Sequence, residues 1–380
     1  MRYSIYKSAF VIGIFLLLKS CDASSTTNFN LGYYLGVVQF SKDKKVSFIN
    51  QYDKNGKETN KIKFSIEGMG YLDDFIPSDQ EKFYVKSSNV ISKNEEEYLI
   101  EVDKQTNRYS KIDLNLSDIY KIFVDDDFIY ITHSINKLSV YDKRKDKIVN
   151  TTKIDDYLVG KFYVDDSNIH LFSRRQKGKS FLNILDKKTL RVIKNFDITN
   201  FGLYQNDIYF HNDKIYFTNY DTSTTKNVGK VGIFNTKTQK FSHINLDTKN
   251  LDKIAVNDGK IFLTVKGEGR NSLKDALMVV DEKSFKTQKI ELDYNAKVFD
   301  ILNDKIFVLS NKYLDIYDCN NLFLHNRIKL SLDEDSVASG IIIYNDWSKS
   351  ILFLLFLFFC RELYIYKLKI LIYKYQNFAF

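Results

Sequence analysis

Apolar residues along this chain fall in short runs, each bounded by Asp, Asn or Gly, and the runs recur in one repeated phrase. A turn with Asp or Asn is followed by a short apolar strand, a polar loop, a second strand ending in Asp or Asn, a basic turn and a third strand. Clear copies are Asp213–Asn219 with Val231–Asn235, Asp258–Thr264 with Leu277–Asp281, and Asn303–Leu309 with Leu314–Asp318. Aligning the first apolar residue of the leading strand gives Val38, Phe83, Ile129, Ile169, Ile215, Ile261, Ile306 and Ile351, at intervals of 45, 46, 40, 46, 46, 45 and 45 residues. A period near 45 with several short strands predicts propeller blades. Helical solenoids of similar period need long amphipathic stretches at 3.6-residue spacing, and the chain has none.

Each unit predicts four antiparallel strands, the innermost carrying a run such as Ile254-Ala-Val256. Asn, Asp and Gly suit the tight turns because they tolerate left-handed backbone and cap their own turns. Innermost strands are predicted near Tyr71–Phe75, Tyr120–Val124, Lys161–Val164, Asp207–Phe210, Ile254–Val256, Phe299–Leu302 and Ile341–Tyr344. The first unit, with its second strand over Gly36–Phe40, has little room for an innermost strand of its own. Pairing Ile341–Tyr344 with it predicts an all-β, seven-bladed propeller of four-stranded antiparallel blades, closed by strands from both termini. Closure removes free sheet edges. An eighth, incomplete blade starting at Ile351 is the alternative.

These strands resemble the repeat of the YVTN (YncE-like) surface propellers, a Tyr-x-Thr-Asn strand followed by Val/Leu-x-Val-x-Asp and Thr-x-Lys. The matching residues are Tyr216, Thr218, Asn219, Val231, Ile233, Asn235, Thr238 and Lys240, and again Tyr130, Thr132, Leu138, Val140, Tyr141 and Asp142. The resemblance covers residues 33–346 and implies a fold rather than an activity, because propellers host many activities. The Trp-Asp and Gly-His pairs of WD40 repeats are missing. So are the tryptophan docking motifs of quinone-binding propellers, since Trp347 is the only Trp.

The ends change the picture. Arg2 and Lys7 precede an apolar stretch, Ala9–Leu18, too short to span a bilayer as a helix, which needs about 20 residues. Leu18, Lys19, Ser20 and Cys21 follow. The segment resembles a bacterial lipoprotein signal, in which the Cys takes the lipid, although Lys19 stands where that pattern prefers a small or hydroxyl residue. The expected organisation is a signal peptide over 1–20, a polar tether over 21–32, the propeller over 33–346 and an atypical apolar and basic tail over 347–380. Lipid on Cys21 would hold the protein on the outer, extracytoplasmic face of the cell membrane. Ordinary secretion and an uncleaved anchor are the alternatives. The tail begins another strand in phase at Ile351 but supplies no Asp-ended partner. It reads as an extra edge strand, an interfacial membrane contact, or sequence that has lost its natural reading frame near Trp347. The abrupt change in composition favours the last.

Net charge is +8, which invites a nucleic-acid reading. The charge sits at the ends: between residues 21 and 360 there are 49 Lys and Arg against 47 Asp and Glu. The body is therefore nearly neutral, and nucleic acid is not an expected partner. One Pro and three Cys exclude a Pro-rich linker and a disulfide-dense scaffold.

Longer loops between second and third strands gather on one face, at Ser87–Glu96, Asn219–Lys230 and Lys266–Asp275. The shorter Ser173–Lys179 loop is basic. Arg174, Arg175, Lys177, Lys179 and Arg270 form a candidate rim for an anionic partner, against the alternative of ordinary solvated loop charge. Asp125, Asp126 and Asp127 offer hard ligands for calcium but stand where every unit has a turn Asp, as do Asp165 and Asp166. No His pair among His133, His170, His211, His243 and His325 has metal-ligand spacing, and His170 reads as a core residue. No disulfide, nucleophile elbow, Rossmann pattern or cofactor is expected. The leading expectation is a monomeric, surface-anchored, non-catalytic module that binds an envelope protein or an anionic wall polymer. The rival is an extracytoplasmic enzyme of the lyase or lactonase kind, with a metal at the central channel. A part in a transport or assembly apparatus is a third reading that these residues do not separate.

Overall fold

Turn chemistry places the strands. In six of the seven units the Asp or Asn that ends the third strand caps its own turn. Asp103 Oδ1 accepts from the N–H of Gln105 and Thr106, Asp142 Oδ1 from Arg144 and Lys145, and Asn235 Oδ1 from Lys237 and Thr238. The residue four positions on then takes positive φ, at Asn107, Asp146, Leu190, Gln239, Phe285 and Leu322. A turn closed by one left-handed residue reverses the chain with the twist a hairpin needs.

In the computed structural model the described residues are 35–41, 46–53, 55–66, 76–87, 97–155, 158–175, 178–202, 204–220, 229–267, 274–332 and 336–344. The chain divides into two units, Met1–Gly32 and Tyr33–Phe380. The first lies outside the described residues, as do Cys21 and the tail from 347.

The described residues form seven antiparallel sheets arranged as the blades of a propeller. Blade 1 holds β1 (Leu35–Ser41), β2 (Val46–Tyr52) and β3 (Glu58–Phe64); blade 2 holds β4 (Lys82–Lys86), β5 (Glu97–Asp103) and β6 (Tyr109–Leu116). Blade 3 runs β7 (Lys121–Val124), β8 (Phe128–His133), β9 (Lys137–Asp142) and β10 (Lys147–Lys153). Blade 4 runs β11 (Leu158–Val164), β12 (Asn168–Arg175), β13 (Lys179–Asp186) and β14 (Val192–Asp197). Blade 5 runs β15 (Tyr204–His211), β16 (Lys214–Tyr220), β17 (Gly229–Asn235) and β18 (Phe241–Leu246). Blade 6 runs β19 (Leu251–Asn257), β20 (Lys260–Val265), β21 (Ala276–Asp281) and β22 (Thr287–Glu291). Blade 7 runs β23 (Val298–Leu302), β24 (Lys305–Leu309), β25 (Tyr313–Asp318) and β26 (Leu324–Lys329). The last strand, β27 (Ser336–Ile343), joins blade 1 in the order β27-β1-β2-β3.

The seven-bladed ring closed by both ends of the propeller is therefore present as expected. Blade 2 shows three strands among the described residues; the innermost strand expected at Tyr71–Phe75 lies outside them, as does the start of an eighth blade at Ile351. Closure is specific. β1 pairs with β27 from Leu35↔Ile343 to Ser41↔Ser336, and Gln51 Nε2 donates to the buried Tyr344 hydroxyl at 2.8 Å.

The core lies between neighbouring blades. Ile254, Ile261 and Met278 of blade 6 pack against Tyr216 and Val231 of blade 5, while Phe262 and Leu277 meet Phe299, Ile306 and Val308 of blade 7. Each such buried side chain contributes about 1.5–3 kcal/mol. Within blade 5, Gly232 stands opposite Phe217 on the ladder, and a Cβ there would lie 2.1 Å from the Phe217 ring.

Candidate functional site

Strand order puts the hairpins between second and third strands at one face of the ring, and the tight turns at the other. On the first face, β12 and β13 carry the basic hairpin. Arg174 pairs across it with Ser180, and Arg175 stands directly opposite Lys179. Both Arg175 and Lys179 are exposed. The Arg175 guanidinium lies 4.4 Å from the Phe181 ring centroid, and Lys179 Nζ is 3.8 Å from Asp197 Oδ2. Like charges directly opposite on a ladder disfavour it, so this hairpin end concentrates positive potential at some cost to its own pairing. Three of the five expected rim residues thus meet at one hairpin. Lys177 and Arg270 lie outside the described residues.

The second concave feature is axial. Consecutive innermost strands touch around the ring, β7 to β11 to β15 to β19 to β23. They wall a hollow of about 200 Å³ lined by Lys121, Lys161, Tyr163, Asp207, Tyr209 and Asp300. Lys161 Nζ meets Asp207 Oδ1 at 2.6 Å, and Asp207 Oδ2 accepts from the Ile254 N–H at 3.1 Å. Tyr163 stacks on Phe210 with centroids 4.0 Å apart. Burial, with the Asp300 carboxylate nearby, pushes the Tyr209 hydroxyl up to about 12, so it stays a neutral donor.

Sequence reasoning did not single out this axial set. The signal is visible in retrospect: a Lys precedes the apolar core residue in Tyr120-Lys121-Ile122, Gly160-Lys161-Phe162, Asp252-Lys253-Ile254 and Ala296-Lys297-Val298.

The other expected residues have structural surroundings. Asp125 Oδ1 accepts from the N–H of Asp127 and Phe128, and Asp165 Oδ1 from Ser167 and Asn168, so both are turn residues. His133 is buried, its ring nitrogens 2.9 and 2.8 Å from Ser134 Oγ and Ser139 Oγ; burial, then Lys137, lowers it to about 4. His170 is also buried, with Nε2 2.8 Å from Asp165 Oδ2, and burial outweighs that carboxylate and lowers its pKa. Cys319 is a buried thiol, pushed up to about 11 by its surroundings. Among the described residues, no three His, Cys, Asp or Glu side chains gather as a metal-holding group.

No family model and no curated protein matches the chain. Solved structures do. Hydrazine synthase of Kuenenia stuttgartiensis aligns at 12% identity and a TM-score of 0.52, covering 82% of this chain and 100% of that one. Apo AztD of Citrobacter koseri aligns at 8% identity and a TM-score of 0.50, covering 82% and 98%. The computationally designed Ika8 protein aligns at 7% identity and a TM-score of 0.50, covering 82% and 97%. At such low identity these likenesses show one thing, that the chain is a β-propeller.

Proposed function

We propose that this propeller is a surface-anchored, non-catalytic binding module. It docks an envelope protein or an anionic wall polymer on the basic hairpin end of blade 4. The observation that carries the reading is the opposition of Arg175 and Lys179 at the paired end of β12 and β13, with Arg174 beside them. Positive charge gathered at a strand end steers and orients an anionic partner. The signal-like segment ending at Cys21 supports a lipid anchor on the extracytoplasmic side of the membrane. The rival enzyme reading draws less support, because His133 and His170 are committed within their blades.

The test is retention of anionic envelope polymer on immobilised full chain. Arg174→Ala/Arg175→Ala/Lys179→Ala should weaken retention about tenfold or more at low salt, and the difference should shrink toward 0.5 M salt, where the Debye length falls to about 4 Å. Equal retention by the triple variant at low salt would remove the rim. Fatty-acid labelling that persists in Cys21→Ala would remove the proposed anchor.

A further inference from the structure

The axial hollow is built in tiers. The leading strands align at Ile129, Ile169, Ile215, Ile261 and Ile306, and their ladders fix which innermost residues share a level. Phe123, Tyr163, Tyr209, Ala255 and Asp300 each pair with the residue after the aligned Ile. Two positions earlier, on the same face of each strand, come Lys121, Lys161, Asp207, Lys253 and Val298. At one end the hollow is lined by Lys121, Lys161 and Asp207, two ammonium groups with one carboxylate between blades 4 and 5. The next level lines it with two tyrosines, Tyr163 and Tyr209, and another carboxylate, Asp300.

A second observation is independent of residue type. In three consecutive blades the innermost ladder is interrupted at the first tier, between Val159 and Phe162, between Gln205 and Asp207, and between Leu251 and Ile254. Bulges re-aim side chains and gather beside binding sites. Here they interrupt the ladder just where Lys161, Asp207 and Lys253 stand, and nowhere else in β11, β15 and β19.

We infer that the hollow binds one small polyhydroxylated anion, a monosaccharide-sized compound carrying a carboxylate or a phosphate. Lys121 and Lys161 take the anionic group through charge-assisted hydrogen bonds. The Tyr163 and Tyr209 hydroxyls and the Asp300 carboxylate meet the ligand's hydroxyls as donors and acceptor. A hollow of about 200 Å³ lies below the usual range of roughly 300–1,000 Å³ for drug-sized ligands, which restricts the occupant to a single small unit. This site is separate from the blade 4 rim and stands or falls without it.

The test is calorimetric titration of the full chain with glucuronate, glucose 6-phosphate and neutral glucose. Saturable binding of one charged sugar, with glucose weaker by about tenfold or more, is expected. Which charged sugar binds tighter identifies the anionic group. Lys121→Met should weaken that binding about threefold or more, and Asp300→Asn several-fold, with unchanged thermal melts. If Lys121→Met does not fold, Asp300→Asn, read against its own melt, carries the test with a loss of about threefold or more. Absence of saturable heat with both anions, or undiminished affinity in the folded lysine variant, overturns the site. The triple rim variant should bind the sugar as the wild type does.

Discussion

Lys143 of blade 3 reaches back to Asp79 of blade 2, with Nζ 2.6 Å from Oδ2 and both side chains largely buried. Asp79 also accepts from the Tyr84 hydroxyl at 2.7 Å and from the N–H groups of Glu81 and Lys82. Burial by itself would raise the Asp79 pKa. Lys143, Tyr84 and the two amides outweigh it and hold the carboxyl at about 2, below its ordinary 3.8. A depressed folded-state value contributes stability that is complete above the unfolded pKa and is lost as pH falls through the folded one. The contribution should therefore be full above about pH 5 and fade between pH 4 and 2, by up to about 2 kcal/mol. Asp79→Asn should flatten this part of the acid limb in urea unfolding. It should also cost about 1–3 kcal/mol at pH 7, because Lys143 loses its charge partner. An unchanged acid limb in the variant would show that Asp79 is not the titrating group.

The same place in the repeat is used with the opposite polarity. Lys143 and Lys187 each follow the turn Asp of their blade, and Lys187 meets Asp125 of the preceding blade at 3.2 Å. In blade 6 that position is Glu282, which meets Lys214 of blade 5 at 2.6 Å and accepts from the Tyr216 hydroxyl. If the pair is an interchangeable blade-to-blade latch, Lys214→Glu should destabilise and adding Glu282→Lys should restore most of the loss. Both groups are part-exposed, so the coupling energy in the double-mutant cycle should be about 0.5–1 kcal/mol. A coupling near zero would mean that the blades are held there by packing alone.

This latch explains where sequence reasoning stopped. The turn Asp was legible because its job is local: Asp142 or Asp281 satisfies its own turn whatever lies next door. The residue after it works on the neighbouring blade, so its type follows that neighbour and reads as Lys143, Lys187, Thr236, Glu282 or Cys319, with no pattern along the chain. The axial lysines recur in sequence, but only the paired ladders of Tyr163 and Ala255, two residues on, place Lys161 and Lys253 on one level. Ring closure was legible by counting strands, since Ile341–Tyr344 had no blade of its own. The basic hairpin was legible in part, as a cluster of Arg and Lys, whereas the facing of Arg175 and Lys179 needed the register.

Phe285 offers a stabilising change. It is the left-handed residue of the blade 6 turn, with φ of 57°, and its ring is 59% exposed. A side chain with a bulky ring is strained in that region by roughly 1 kcal/mol, and exposure returns little in packing. Asn tolerates left-handed backbone, as Asn107 does at the matching position of blade 2. Phe285→Asn should therefore raise stability by about 0.5–1 kcal/mol, read as a higher urea midpoint with unchanged slope. The matching Leu190 and Leu322 are buried, so Asn there should destabilise instead. A lower midpoint for Phe285→Asn would show that the exposed ring makes a contribution larger than its strain.

Ring closure makes the sharpest prediction. β27 adds a full ladder to β1, and its Ala338, Ile341 and Ile342 are almost completely buried. Ile341 packs with Leu35, Val37 and Leu309 across the junction of blades 1 and 7, and Ile342 with Val38, Phe83 and Val85 across that of blades 1 and 2. Beyond the strand, Tyr344 adds its hydroxyl contact to Gln51 and an edge-to-face contact to Phe83 at 5.1 Å. A chain stopped after Leu332 loses all of these. At about 1.5–3 kcal/mol for each large buried side chain, the loss approaches the whole stability of an ordinary domain, about 5–15 kcal/mol. It also leaves β1 as an open edge. That chain should fail to show a cooperative melt and should aggregate, whereas a chain stopped after Asp346 should melt as the full chain does. Tyr344→Phe, which removes one buried hydrogen bond and keeps the ring contact, should cost about 1 kcal/mol. A cooperative melt in the chain stopped at Leu332 would place closure elsewhere and undo the seven-bladed count.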